Sequence, residues 1–164
     1  DPVMSRGLGD VYKRQLGSRS ILMNPKPKKN KDIVNSRIKH REEWRPFAGI
    51  MLEEYQEDYF MEAYPNEYML YSLVVRPHQR RKLGAITHKD FSCRIQTVNK
   101  DLHPEATTLL QKYNEVTKTP VLLNTSFNDN GQPIIETPKD AVETFNKIDL
   151  DFLVINNFLI TKNK

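Results

Sequence analysis

Residues 120–133 read P-V-L-L-N-T-S-F-N-D-N-G-Q-P, an apolar run that stops abruptly in small polar residues. Val121, Leu122 and Leu123 suit a buried strand, which commits the chain to a sheet. Asn124, Thr125 and Ser126 supply donors and acceptors where that strand is expected to end. In open α/β sheets ligands bind outside the carboxyl ends of strands, so an amide and two hydroxyls there would hold a small polar substrate. Asn, Thr, Ser, Asp and Gly are equally the residues of any turn, and on this stretch alone both readings stand.

At 164 residues the chain accommodates one domain with a proper core and is too short for two of ordinary size. No apolar run approaches the roughly 20 residues that cross a bilayer, and no charged-then-apolar leader opens the sequence. One cysteine, Cys93, excludes an internal disulfide framework and fits a reducing cytoplasm, the expected location. The net charge of +4 favours anionic partners, which makes the placement of the arginines the useful question.

Residues 1–15, D-P-V-M-S-R-G-L-G-D-V-Y-K-R-Q, show no usable periodicity and read as a non-native adaptor scar, leaving residues 16–164 as the domain. Setting those residues aside removes three basic and two acidic side chains and leaves a net charge of +3. Ile21 and Leu22 then lead into a basic loop punctuated by Pro25 and Pro27. Residues 32–40 read as a short helix with Ile33, Val34 and Ile38 on one side and Arg37 and Lys39 facing elsewhere. Pro46 pushes Arg45 toward extended geometry, so that Trp44 and Phe47 pack while the guanidinium projects. A surface ion pair with Glu42 or Glu43 is the alternative for that cation.

Residues 51–60 read as a helix and 68–75 as a strand rich in β formers. Cys93, Ile95 and Thr97 alternate with Arg94, Gln96 and Val98, a strand that places Arg94 and Gln96 on one face. A helix opening near Pro104 carries Ala106, Leu109, Leu110, Tyr113 and Val116 at core spacing. Thr137-Pro-Lys-Asp140 is a helix start, with Ala141, Val142 and Phe145 as the buried stripe. Residues 151–155 are a strand, turned by Asn156 and Asn157, and residues 158–160 are expected to close the sheet. The alternation of strands and helices gives an α/β or α+β fold.

The four histidines are dispersed and show no metal-ligand spacing, and neither phosphate-binding glycine loop occurs. Cys93, inside a strand, reads as a packed thiol. What remains is a set of separated cations, Arg19, Lys39, Arg45 and Arg94, with the amide and hydroxyls of residues 124–126. Arginine forks bind phosphate oxygens and stabilise the charge that shifts during phosphoryl or nucleotidyl transfer. Such chemistry asks for positioning more than for a nucleophile.

Four blocks in this order, L-G-S-R-S-I-L, K-H-R-E-E-W-R-P-F-A, T-H-K-D-F-S-C-R-I-Q-T-V and P-V-L-L-N-T-S-F-N-D-N-G-Q-P-I, closely resemble the carboxyl-terminal domain of NodU/CmcH-type O-carbamoyltransferases. The resemblance implies a single α/β domain with a YrdC-like twisted, open mixed sheet and flanking helices. It also implies that carbamoyl phosphate and ATP, with Mg2+ accompanying the ATP, are converted to carbamoyl adenylate. A preceding Kae1-like domain, absent from this sequence, would pass the carbamoyl group to a hydroxyl of a sugar, antibiotic or nodulation-factor-like acceptor. Carried over by position, the resemblance assigns Lys39, Arg45 and Arg94 to catalysis, and Asn124, Ser126, Arg19 and His88 to substrate binding. Phe91 stands where the family usually has Gly. The competing readings are a basic YrdC-like RNA-binding module, disfavoured by interspersed acids, and an inactive truncated fragment.

Overall fold

The computed structural model describes residues 19–162, so the expectation placed on residues 1–15 lies outside it. Strand β1 (Ser20–Met23) is followed by helix α1 (Lys29–Ile33), which runs on as a wider π-type turn over Val34–Ile38. Strand β2 (Ala48–Leu52) then leads through a 3-10 turn (Glu53–Tyr55) to the single-turn helix α2 (Gln56–Tyr59). Strands β3 (Ser72–Val74) and β4 (Ser92–Val98) precede helix α3 (Pro104–Thr117), strand β5 (Val121–Ser126) and helix α4 (Pro138–Lys147). Strands β6 (Phe152–Ile155) and β7 (Phe158–Thr161) end the described chain.

The first five strands form one open mixed sheet in the order β1-β5-β2-β4-β3, with β2 and β4 parallel and the other neighbours antiparallel. The α/β reading holds. The helix expected over 51–60 is shorter, because Met51 and Leu52 belong to β2, whose five residues are all buried. A strand covered on both faces is a continuous apolar run, which periodicity does not distinguish from a helix. Gly49 is needed within it: a Cβ there would lie 2.6 Å from Ile95 Cδ1 and 2.8 Å from Ile86 Cδ1.

The strand expected over 68–75 shrinks to β3. Asn66 wraps the preceding residues around itself, donating from Nδ2 to the Tyr71 and Ile95 carbonyls (2.9 and 2.8 Å) and accepting the Leu70 amide at Oδ1 (2.9 Å). Strands β6 and β7 pair with each other and do not close the main sheet. Helix α4 starts as its sequence dictates, with a reciprocal capping box between Thr137 and Asp140 and Pro138 in the first turn. Its buried stripe is Ala141, Thr144 and Phe145, while Val142 faces outward.

Strand register divides the sheet into two faces. One carries Ile21, Met51, Leu73, Cys93, Ile95, Val121 and Leu123, packed with Phe60, Phe145 and Ile148 in the main core. The other carries Ile50, Leu52, Val98 and Leu122, covered by Leu110 of α3 with Ala106 and Tyr113 half-buried beside it. Leu109 and Val116, expected in that stripe, are exposed, because α3 meets the sheet along a narrower line than its apolar content allows. Farther along the same strands this second face turns polar: Ser20 lies opposite Ser126, and Asn124 opposite Ala48.

Candidate functional site

The polar half of that face is built from β5, β4, β1 and the segment after α1. Strand alternation puts Asn124 and Ser126 on the face of Leu122, and Arg94 and Gln96 on the face of Val98. Asn124 Nδ2 donates to Gln96 Oε1 at 3.1 Å. The Asn124 side chain is buried, at 5% exposure, and its Oδ1 has no hydrogen-bond partner among the described residues. A buried carbonyl oxygen left without a donor costs about 1–3 kcal/mol, so a water or a small ligand that donates to it would be favoured there. The Ser20 hydroxyl, on the same face, is likewise buried and without a partner among the described residues.

Lys39 comes to this group from the end of the π-type turn. It is only 4% exposed. Its Nζ donates to the Ser126 carbonyl (3.0 Å), the Asn128 carbonyl (2.7 Å) and Asn128 Oδ1 (2.5 Å), with Ser126 Oγ at 3.5 Å. Ser126 Oγ also donates to Asn128 Oδ1 at 2.7 Å. These partners are neutral oxygens, and they orient the ammonium.

The remaining expected residues are placed less uniformly. Arg94 shares the face of Asn124 but is exposed, opposite Ser72 of β3. Arg19 donates from Nη1 to the Ile135 carbonyl (2.8 Å), and its own carbonyl accepts the Phe127 amide (2.9 Å), which sets it beside the end of β5. Arg45 forms the surface ion pair, Nε to Glu42 Oε2 at 2.9 Å, and lies over Trp44, which is 71% exposed and does not pack as expected. Phe47 is buried. His88 belongs to the turn before β4: Nδ1 meets Ser92 Oγ at 3.1 Å, and Nε2 is buried without a partner among the described residues. No hydrogen bond joins Arg45, Arg94 or His88 to the Lys39–Ser126–Asn128 group among the described residues.

Two members of the site went unassigned in the sequence. Gln96 was visible by alternation with Arg94, but nothing in the sequence set it against Asn124. Asn128 had no local signal, since its role depends on the chain folding back after Phe127. At Phe91, the position usually held by Gly, φ is +65°, the left-handed region that favours glycine, and the Arg80 guanidinium stacks 3.7 Å over the ring. Burial pushes the Cys93 thiol up to about 12, which leaves it a packed group rather than a nucleophile.

Beside the polar half lies a cleft of about 1080 Å³ between β1, α3 and the β6–β7 hairpin. Leu22, Ile50, Leu122 and Ala106 line it together with Phe152, Val154, Arg19 and Ser20. No helix among the described residues is long and apolar enough to cross a membrane. No group of three or more metal-ligating side chains occurs among them.

The family model described as "Carbamoyltransferase C-terminus" matches residues 4–162. The chain is 40% identical to nodulation protein NolNO of Sinorhizobium fredii over 96% of its own length and 24% of that protein. It is 40% identical to nodulation protein NolO of Bradyrhizobium diazoefficiens, over 96% of this chain and 29% of the relative. Nodulation protein U of Rhizobium tropici is 35% identical over 99% of this chain and 28% of its own length. The chain thus spans about a quarter of the length of these curated relatives.

Proposed function

This chain belongs to the carbamoyltransferase C-terminus family, and from that premise we propose that it is the carbamoyl-adenylate-forming domain of an O-carbamoyltransferase. The observation that carries the reading is the Asn124 carboxamide, buried, without a partner at Oδ1 among the described residues and set on the same sheet face as Ser126, whose oxygens Lys39 holds. A carbamoyl group has an NH2 to donate and a carbonyl to accept. Asn124 Oδ1 would accept from the NH2, and Lys39 would neutralise the phosphate of carbamoyl phosphate.

Water attacks the phosphorus of carbamoyl phosphate, the phosphorus–oxygen bond to the carbamoyl group breaks, and inorganic phosphate and carbamate result. A carbamate oxygen then attacks the α-phosphorus of ATP, the bond to the β-phosphate oxygen breaks, and pyrophosphate leaves with the electron pair. The residues' part is positioning and charge: Lys39 and Arg94 hold phosphoryl oxygens, and Ser126 orients the small group. The neighbouring cleft has room for a nucleoside, whose base would meet Leu22, Ile50 and Leu122. Mg2+ would arrive with ATP, held by phosphates and water. Arg45 enters only if its exposed pair with Glu42 opens, and Arg19 would act from the rim. Transfer to an acceptor hydroxyl would fall to a Kae1-like domain preceding this one.

Carbamoyl-phosphate-dependent exchange of pyrophosphate into ATP by the full-length enzyme tests the reading. Exchange should occur and should be lost when Arg94→Ala and Lys39→Ala are combined. No exchange in the parent, or survival in the double variant, sinks it.

A further inference from the structure

A carbamoyl group has two polar ends, and the Asn124 oxygen answers the NH2 alone. The carbonyl end needs a donor that neither neighbour on the sheet face directs to it. The Ser126 hydroxyl donates to Asn128 Oδ1 at 2.7 Å, and Asn124 Nδ2 donates to Gln96 Oε1 at 3.1 Å.

Ser20 is placed to supply that donor. Across the β1–β5 ladder its partner is Ser126, while Leu22 is the partner of Asn124. Side chains alternate along a strand, so Ser20, Ser126 and Asn124 share one face, with Ser20 and Asn124 as diagonal neighbours. Cβ atoms in that relation lie about 7 Å apart. The Ser20 Oγ, like Asn124 Oδ1, is buried and has no partner among the described residues. Ser20 also lines the cleft with Leu22 and Leu122, so a ligand entering there meets its hydroxyl.

The two atoms are complementary in kind, since an amide oxygen accepts and a hydroxyl donates. A carboxamide between them, making two hydrogen bonds of about 2.9 Å, spans the gap and satisfies both. We propose that Ser20 is a further substrate-binding residue, donating from its hydroxyl to the carbonyl oxygen of the carbamoyl group whose NH2 donates to Asn124. The inference rests on reading Asn124 as carbamoyl-binding. No bond forms or breaks at Ser20, and the phosphoryl oxygens are left to the cations.

Phosphonoacetamide is the probe. It keeps the carboxamide and the phosphoryl group of carbamoyl phosphate, with a methylene at the bridging oxygen, so it binds without being consumed. Acetonylphosphonate keeps the carbonyl and has a methyl group in place of the NH2. In calorimetric titration of the full-length enzyme, Ser20→Ala should weaken both ligands by the same factor, roughly three- to tenfold. Asn124→Ala should weaken phosphonoacetamide and leave acetonylphosphonate near its parent affinity. Inorganic phosphate and ATP, which have no carbamoyl group, should bind Ser20→Ala as they bind the parent.

Unaltered phosphonoacetamide affinity in Ser20→Ala overturns the proposal and leaves that hydroxyl to water. A loss confined to phosphonoacetamide, or an equal loss for inorganic phosphate or ATP, overturns it as well. Where acetonylphosphonate does not bind the parent, the comparison with inorganic phosphate decides. Should Ser20→Ala lack a cooperative thermal transition, Ser20→Cys, a near-isostere with a weaker donor, replaces it in the same comparison. Pyrophosphate exchange separates the two readings. The expected binding pattern without exchange refutes the adenylate-forming function and leaves the Ser20 role standing, whereas exchange in the parent with unaltered phosphonoacetamide affinity in Ser20→Ala refutes Ser20 alone.

Discussion

Strand β5 crosses two environments within six residues. Its first half, Val121 to Leu123, is buried and apolar, and Leu122 lies under Leu110 of α3. Its second half, Asn124 to Ser126, is paired along its backbone to β1, but Asn124 is buried with an acceptor unsatisfied among the described residues. Burial alone therefore does not identify the stable part of the sheet. Beneath α3, burial is matched by apolar contact and contributes stability. At Asn124 the unmatched acceptor leaves a cost of about 1–3 kcal/mol that a donating water or, on the proposed reading, the carbamoyl group would recover.

The sharpest test of this contrast is truncation at each end. Leu110→Ala removes the covering side chain and should lower unfolding stability by about 2–5 kcal/mol in denaturant titration. Asn124→Ala should cost less than roughly 1.5 kcal/mol, since it deletes an unsatisfied group along with one amide hydrogen bond. Equal losses would mean that both halves serve the core alike.

Within the polar half the division of labour is separable. In the full-length enzyme Asn124→Ala should weaken carbamoyl phosphate binding by about tenfold or more while leaving ATP affinity near the parent value. Arg94→Ala should weaken ATP instead. Equal loss of ATP affinity in the two variants would break the distinction between a shape-reading amide and a charge-bearing arginine.

The helix cap supplies a control remote from both halves. Thr137→Ala should lower stability by about 1 kcal/mol without altering ligand affinity. Hydrogen bonds from Thr137 hold the Asp140 carboxyl below its ordinary value. That contribution is present above the ordinary carboxylate range and is lost as pH falls through the depressed value. The variant's acid unfolding limb should therefore be shallower than the parent's; an identical limb would remove the cap from the account. The smallest change is expected at Phe91. Phe91→Gly relieves a left-handed backbone and loses the Arg80 contact, effects of opposite sign that should leave stability within about 1 kcal/mol of the parent.

Much of the architecture was legible because its signals are local. Cys93, Ile95 and Thr97 alternate with Arg94, Gln96 and Val98, and β4 follows that period. Thr137, Pro138 and Asp140 carry the whole chemistry of a helix start within four positions. Residues 51–60 misled because a central strand buried on both faces has no alternation to read. Residues 68–71 have β-forming side chains, but the Asn66 amide offered their backbone better partners than a neighbouring strand. Trp44 is apolar and still exposed, with Arg45 beside it in place of a core.

By itself the sequence determined the α/β class, the strand that ends in polar residues, and the family carried by four ordered blocks. Those depend on short-range periodicity and on residue identity at fixed positions. Only the tertiary structure decided that Lys39 is buried against Ser126 and Asn128, that Gln96 meets Asn124, that Arg45 is engaged by Glu42, and that His40 reaches Asp129. Each involves a side chain whose identity permits several partners. The choice is made by which backbone segments the sheet register and the fold-back after Phe127 bring within hydrogen-bonding distance.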